Sequence, residues 1–167
     1  MKKLFLGISL SVSWGSSLAC LLIPAISFAE ELSSEEKCLA EAIYFEARDQ
    51  PTIGMVAVAL VVKNRVKSPR YPNTVCGVVR QAKTRGGKLI LGKCQFSYFC
   101  DGKHERPAER EAWETAKLVA GATLQTDFNV TGLHGVTHYH AVSVQPWWTT
   151  HLEPRAIVGD HKFYSMQ

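Results

Sequence analysis

The chain has 167 residues and a formal net charge of +4, from 19 Lys and Arg against 15 Asp and Glu. A balance this mild gives no nucleic-acid signal. Hydrophobic residues make up 46% of the chain. No low-complexity run, internal repeat or long linker interrupts them, which excludes a repeat array and leaves one domain with a real core.

The N-terminus reads as a targeting segment. Lys2 and Lys3 form a basic start, and an apolar stretch runs from Leu4 to Phe28. Ser27-Phe28-Ala29 places small residues at the −3 and −1 positions of a signal-peptidase site, so cleavage is predicted after Ala29. The alternative is an uncleaved membrane anchor, but Ser and Gly interrupt the apolar stretch. Residues 1–29 are therefore expected to be a signal peptide and 30–167 an exported catalytic domain in the periplasm or cell envelope. No stable membrane insertion is expected after cleavage. Cleavage removes two lysines and no acid, leaving 17 basic against 15 acidic residues. The remaining 138 or so residues make one domain, with no room for a separate wall-binding module.

Ser33-Ser-Glu-Glu36 is a capping box and opens a helix that should end near Asp49, since Pro51 disfavours helical geometry at Gln50. On this helix Leu39, Ala42, Ile43 and Glu46 share one stripe, while Lys37, Glu41 and Arg48 fall opposite. Glu46 sits where the pattern asks for an apolar side chain. An ionised carboxyl there is costly, so its pKa should rise. The competing reading is a structural one, in which Glu46 bends out to pair with Arg48 or Arg65.

Ile53 to Val66 is apolar almost all round before it closes on Lys63-Asn-Arg65, which predicts a buried central helix. Pro69 to Asn73 is a turn, and Asn73 or Thr74 can cap a short helix from Val75 to about Ala82. Thr84 to Gly87 followed by Lys88 to Leu91 reads as a turn and a short strand. Cys94 to Gly102 is a compact loop. Pro107 fits the first turn of a helix running to about Leu124, with Ala112, Ala116, Val119, Ala120 and Thr123 as its core stripe. Thr137 to Ala141 alternates as a strand. Ala156 to Val158, Gly159-Asp160 and His161 to Tyr164 read as a hairpin. The fold class is α+β and mainly helical, with a small antiparallel sheet toward the C-terminus.

Cys20 belongs to the predicted signal peptide. Cys38, Cys76, Cys94 and Cys100 remain, an even number that favours two disulfides in an exported protein. Three pairings are possible. Cys94 and Cys100 flank a short loop, so Cys94–Cys100 is expected and Cys38–Cys76 follows by remainder.

Several segments together resemble the SleB/CwlJ-type cell-wall hydrolase family. They are Ala40-Glu-Ala-Ile-Tyr-Phe-Glu-Ala-Arg48, Gly54-Met-Val-Ala-Val58, Asn64-Arg-Val66 and Tyr71-Pro-Asn-Thr74. Gln95-Phe-Ser97, Asp101-Gly102, His138-Tyr-His140, Trp147 and Gly159-Asp-His161 continue the series. The resemblance implies a peptidoglycan-cleaving enzyme with a lysozyme-like or lytic-transglycosylase-like lobe, and Glu46 as its catalytic acid. By the same analogy Gln95, Ser97, Tyr139, His161 and Tyr164 are cleft candidates, and His140 and Trp147 are expected to join them in binding substrate.

Glycosidic cleavage needs a carboxyl that holds its proton near neutral pH. No second carboxylate can be placed from the sequence. Lytic transglycosylases need only one acid, and that reaction is the expected one, with glycan strands as partner and no cofactor or metal. Trp147, Trp148, Tyr98, Phe99 and Tyr139 can stack on sugar rings, or each can be core. Two rival functions stay open. His138, His140 and His161 could hold zinc in an amidase, although the helix carries no His-Glu-x-x-His motif. An exported domain with exposed aromatics could also merely bind wall polymers.

Overall fold

Ser33 opens the first helix, α1 (Ser34–Ala47), through both halves of the predicted capping box: the Glu36 N–H donates to its hydroxyl, and its own N–H donates to the Glu36 carboxylate. The computed structural model describes residues 31–103 and 106–166, so the predicted signal peptide and Cys20 lie outside the described residues. Helix α2 (Thr52–Lys67) follows after Pro51, and α3 (Val75–Val79) is capped by Thr74, whose side chain accepts from the Gly77 N–H. Strands β1 (Ala82–Arg85) and β2 (Lys88–Cys94) form a two-stranded antiparallel sheet. Helix α4 (Arg110–Gln125) precedes a second antiparallel sheet of β3 (Val136–Ala141), β4 (Glu153–Val158) and β5 (His161–Ser165), with β5 in the middle.

The all-round apolar character of α2 has a direct cause. One side of it packs into a core shared with α1, α3 and α4, where Leu39, Ile43, Val58, Val62 and Val78 are fully buried. Its other side, with Ala57, Leu60 and Val61, packs on Leu133, Val136 and Phe163 of the sheet layer. Burying a side chain of this size contributes roughly 1.5–3 kcal/mol, so α2 ties both layers together.

The polar end of α2 is not a solvated terminus. Lys63 Nζ donates to the carbonyls of Thr123 and Thr126, at 2.8 and 2.7 Å. Asn64 Nδ2 donates to those of Leu133 and Val136, and Arg65 Nε donates to that of Thr137 at 2.8 Å. Three consecutive side chains thus hold the segment that leads into β3, and so fix where β3 begins.

Disulfides join Cys38 to Cys76 and Cys94 to Cys100. The first links α1 to α3. Beside it the Glu35 carboxylate of α1 accepts from the Val75 N–H at 2.6 Å, giving α3 an acidic partner at its N-terminus.

Several elements differ from the sequence reading: β2 runs on to Cys94 rather than Leu91, and β4 begins at Glu153 rather than Ala156. Helix α3 stops at Val79 rather than Ala82, because the chain turns there into β1 and the Gln81 carbonyl accepts from the Gln95 N–H at 2.9 Å. Helix α4 starts at Arg110, beyond Pro107. The Ala108 and Glu109 N–H groups both donate to the Tyr44 hydroxyl, at 3.0 and 3.1 Å, which keeps that stretch out of the helix. Strand β1 was not expected: its residues are mostly exposed and polar, so no alternation marks it.

At the far end of α1, Gln50 is buried and grips the β4–β5 turn. Its Oε1 accepts from the Asp160 N–H at 2.9 Å, and its Nε2 donates to the Asp160 carboxylate at 3.2 Å. Gly159 has φ 55° in this turn. A Cβ added there would collide with Gln50 Oε1, so the turn requires glycine for both conformation and space. The clamp sets the sheet against the end of α1, four residues beyond Glu46.

Candidate active site

Glu46 lies in the last turn of α1 and opens onto a cleft of about 460 Å³. His138, Tyr139 and His140 of strand β3 line it, together with Gln95, Ser97, Trp148 and His161. Glu46 is the one carboxylate among the described residues that line this cleft.

Glu46 has the environment its helical position implies. Burial raises its pKa above the ordinary carboxyl value, opposed in part by the Tyr139 hydroxyl and the positive charge of Arg65. Tyr139 Oη donates to Glu46 Oε2 at 3.0 Å. That bond engages one carboxyl oxygen and leaves Oε1 without a hydrogen bond among the described residues. Burial and the neighbouring Glu46 push the Tyr139 phenol far upward, so it remains a neutral donor. Its ring is fixed by stacking on Phe163, at 5.7 Å between centroids, and by the edge of His161 at 5.3 Å.

The structural reading of Glu46 as an ion-pair partner is not what the geometry shows. Arg48 reaches Glu109 at 3.3 Å instead. Arg65 is buried, lies over the Tyr71 and Phe96 rings at 5.3 and 5.5 Å, and gives its Nε to Thr137. Among the described residues it makes no ion pair with Glu46, although its charge acts on it.

The structure brings most of the expected residues together. Gln95 and Ser97 are exposed in the cleft, with no side-chain hydrogen bond among the described residues, and are available to a ligand. His140 and His161 also line it. His140 Nδ1 lies 2.9 Å from the Ala141 carbonyl, so that nitrogen carries the proton, and its Nε2 faces the Tyr164 hydroxyl at 2.9 Å. Tyr164 is buried behind His140 and supports it rather than lining the cleft.

Trp147 is a correction. It is 79% exposed, stands edge-on to His151 and does not line the cleft. A short 3-10 turn over Trp147–His151 turns its neighbour Trp148 inward instead, against His138, His140 and Tyr164 at 5.5–5.6 Å. Tyr98 and Phe99 belong to the core; Tyr98 stacks on Phe45 at 4.6 Å.

His138 lies on the same face of β3 as His140, and its pKa falls to about 4 through burial and the nearby Arg65. It is therefore neutral across the physiological range. Burial also lowers His161, against the opposing carboxylates of Asp49 and Asp160. Among the described residues no three His, Cys, Asp or Glu side chains converge as a metal-ligand set. Asp49 and Asp160 line an adjoining cavity that also touches Glu46 and His161. Sequence reasoning did not place them there, because both lie on turns.

A larger cavity of about 540 Å³ lies between α2, the segment after α4 and the C-terminal end. Its carboxylate, Asp127, is held by Lys63 at 3.0 Å and Lys67 at 3.3 Å. The two lysines hold the Asp127 carboxyl below its ordinary pKa, so it has none of the raised pKa of Glu46.

A family model described as cell wall hydrolase matches residues 49–164. The chain belongs to the cell wall hydrolase family. The match begins three residues after Glu46, so the case for that residue rests on its geometry. The chain is similar to the spore cortex-lytic enzyme of Bacillus subtilis, at 47% identity over 47 residues, covering 28% of this chain and 15% of that protein. A Bacillus cereus enzyme of the same description is 54% identical over 41 residues, covering 25% of this chain and 16% of that protein. The matched segments thus span less than a fifth of these relatives.

Among solved structures, the fold matches the catalytic domain of the germination-specific lytic transglycosylase SleB from Bacillus anthracis. That match has a TM-score of 0.59 and 28% identity, and covers 81% of this chain and 98% of the other. The SleB catalytic domain of Bacillus cereus matches with a TM-score of 0.54 at 25% identity, covering 81% of this chain and 94% of the other. The chain thus shares its α+β fold with SleB catalytic domains.

Proposed function

We propose that this chain is an exported enzyme that cuts the glycan strand between N-acetylmuramic acid and N-acetylglucosamine by lytic transglycosylation, with Glu46 as general acid and then general base. The observation that supports it is the buried Glu46 carboxyl at the cleft, with its pKa raised by burial and its Oε2 accepting from Tyr139. Glu46 Oε1–H protonates the glycosidic oxygen and the bond to C1 of the muramic acid breaks. The leaving sugar departs with a new hydroxyl, and positive charge develops at C1. The muramic acid 6-hydroxyl then attacks C1 and passes its proton to the Glu46 carboxylate. The product is a 1,6-anhydro end and the acid is restored.

Tyr139 stabilises the carboxylate between these two transfers. Arg65, behind it, adds positive charge without forming a pair that would trap the ion. Gln95 and Ser97 are placed to hold sugar hydroxyls, and Trp148 offers a ring face beside His138 and His140. Having one carboxylate in the cleft favours this route, because the substrate supplies the nucleophile.

Asp49 and Asp160, beside His161 in the adjoining cavity, favour one second reading: hydrolysis, with water activated from that side. Mass spectrometry of fragments released from purified sacculi separates the readings. Anhydro-muramic ends are expected. Reducing ends would mean hydrolysis, and free stem peptides would mean an amidase. Residues 1–29 direct export in this reading, and 30–167 are the catalytic domain.

A further inference from the structure

The segment from Gln50 to Cys100 contains no Asp or Glu but nine Lys and Arg. Lys63 and Lys67 are paired with Asp127, and Arg65 is buried. Four of the rest, Lys83, Arg85, Lys88 and Lys93, are gathered on the β1–β2 hairpin, all exposed and with no ion-pair partner among the described residues. Arg85 and Lys88 are directly opposed across the two strands. Like charges in that position destabilise a strand pair, and a two-stranded hairpin with so little buried surface has little stability to spare. The fold does not explain this arrangement, whereas an anion held on the hairpin does.

The hairpin is fixed at its base. The Cys94–Cys100 disulfide and the bond from the Gln95 N–H to the Gln81 carbonyl anchor it beside the Glu46 cleft. A groove of about 390 Å³ runs along it, bordered by Gln81, Lys83, Gly92 and Lys93, and it shares Cys94 and Gln95 with the cleft wall. A polymer leaving the cleft past Gln95 would run along Lys83 and Lys93.

We propose that this hairpin is a second binding surface of the enzyme, which takes the carboxylates of the stem peptides borne on the glycan strand. The inference rests on the glycan-cutting function proposed above and adds to it a preference for strands that still carry their peptides. Stem peptides hang from muramic acid and bear free carboxylates, so the charge is complementary.

The test measures binding rather than cleavage, using the non-cleaving Glu46→Gln protein and sacculi before and after an amidase has removed the stems. Cosedimentation is expected to show roughly tenfold tighter binding to intact than to peptide-free walls, since several exposed ion pairs each contribute little. The preference should shrink as salt is added. In a variant that also carries Lys83→Gln, Arg85→Gln, Lys88→Gln and Lys93→Gln, it should disappear. Equal binding to both walls, or a preference that survives the four changes, overturns the proposal. Loss of binding to phosphatidylglycerol vesicles with wall preference retained overturns it too, and assigns the hairpin, with its exposed Leu89 and Leu91, to a membrane surface. Because the readout is binding, it is decided even where product analysis shows that a different bond is cut.

Discussion

Tyr139→Phe removes one hydroxyl and leaves the ring that stacks on Phe163. The hydroxyl donates to Glu46 Oε2 at 3.0 Å in a part-buried setting. Glu46 is neutral before it gives up its proton and an anion afterwards, so this bond is strongest as the proton leaves. A hydrogen bond to a charged group contributes about 1.5–3 kcal/mol. At 1.36 kcal/mol per factor of ten, kcat should fall roughly 10- to 150-fold. KM should change little, because the hydroxyl is engaged by Glu46 rather than by a sugar. The pH profile supplies a second readout. The hydroxyl opposes the upward push of burial on Glu46, so its removal raises the Glu46 pKa further. Glu46 must be protonated to act as the acid, and the high-pH limb of activity should move to higher pH. The assay is muropeptide release from sacculi between pH 4 and 9, with melting by circular dichroism as a check on the fold. A kcat within twofold of the parent and an unmoved limb, or one moved to lower pH, would refute this account of Glu46.

Glu46→Gln should abolish muropeptide release and yet stabilise the protein at neutral pH. The folded-state pKa of Glu46 is raised by burial, so the unfolded chain releases its proton first as pH rises. Stability of the parent is lost between the ordinary carboxyl pKa and the raised one. The melting-temperature gain of the variant should therefore be absent in acid and grow toward neutral pH; a gain largest in acid would contradict the sign. Gln50→Ala breaks both bonds to Asp160, at 2.9 and 3.2 Å, and should cost about 1–3 kcal/mol in urea unfolding. A loss below a few tenths of a kcal/mol would mean that the clamp is not under load. Removing the Cys38–Cys76 bond, which spans 38 residues, should cost about 4 kcal/mol by loop entropy. The Cys38→Ser/Cys76→Ser protein should unfold at correspondingly lower denaturant, and an unchanged midpoint would contradict that estimate.

Local signals in the chain are enough to lay out the helical layer and to single out Glu46. A capping box, a proline and a stripe of apolar residues are local signals, and Glu46 is conspicuous because it interrupts such a stripe. The double-sided burial of α2 was legible as a run without a polar face. The partners of Glu46 were not legible, because Tyr139 lies 93 positions away and its approach depends on how Lys63, Asn64 and Arg65 hold the segment leading into β3. Those three residues read as the polar end of a buried helix; only packing shows that their donors meet backbone carbonyls. The choice between Trp147 and Trp148 was likewise tertiary, since one residue of rotation in a 3-10 turn decides which ring faces the cleft. Strand β1 leaves no mark in the sequence because it buries almost nothing. Local pattern reports which side chains want to leave water. Which of them meet is decided by the long-range hydrogen bonds, the Gln50 clamp and the disulfides that close the fold around the cleft.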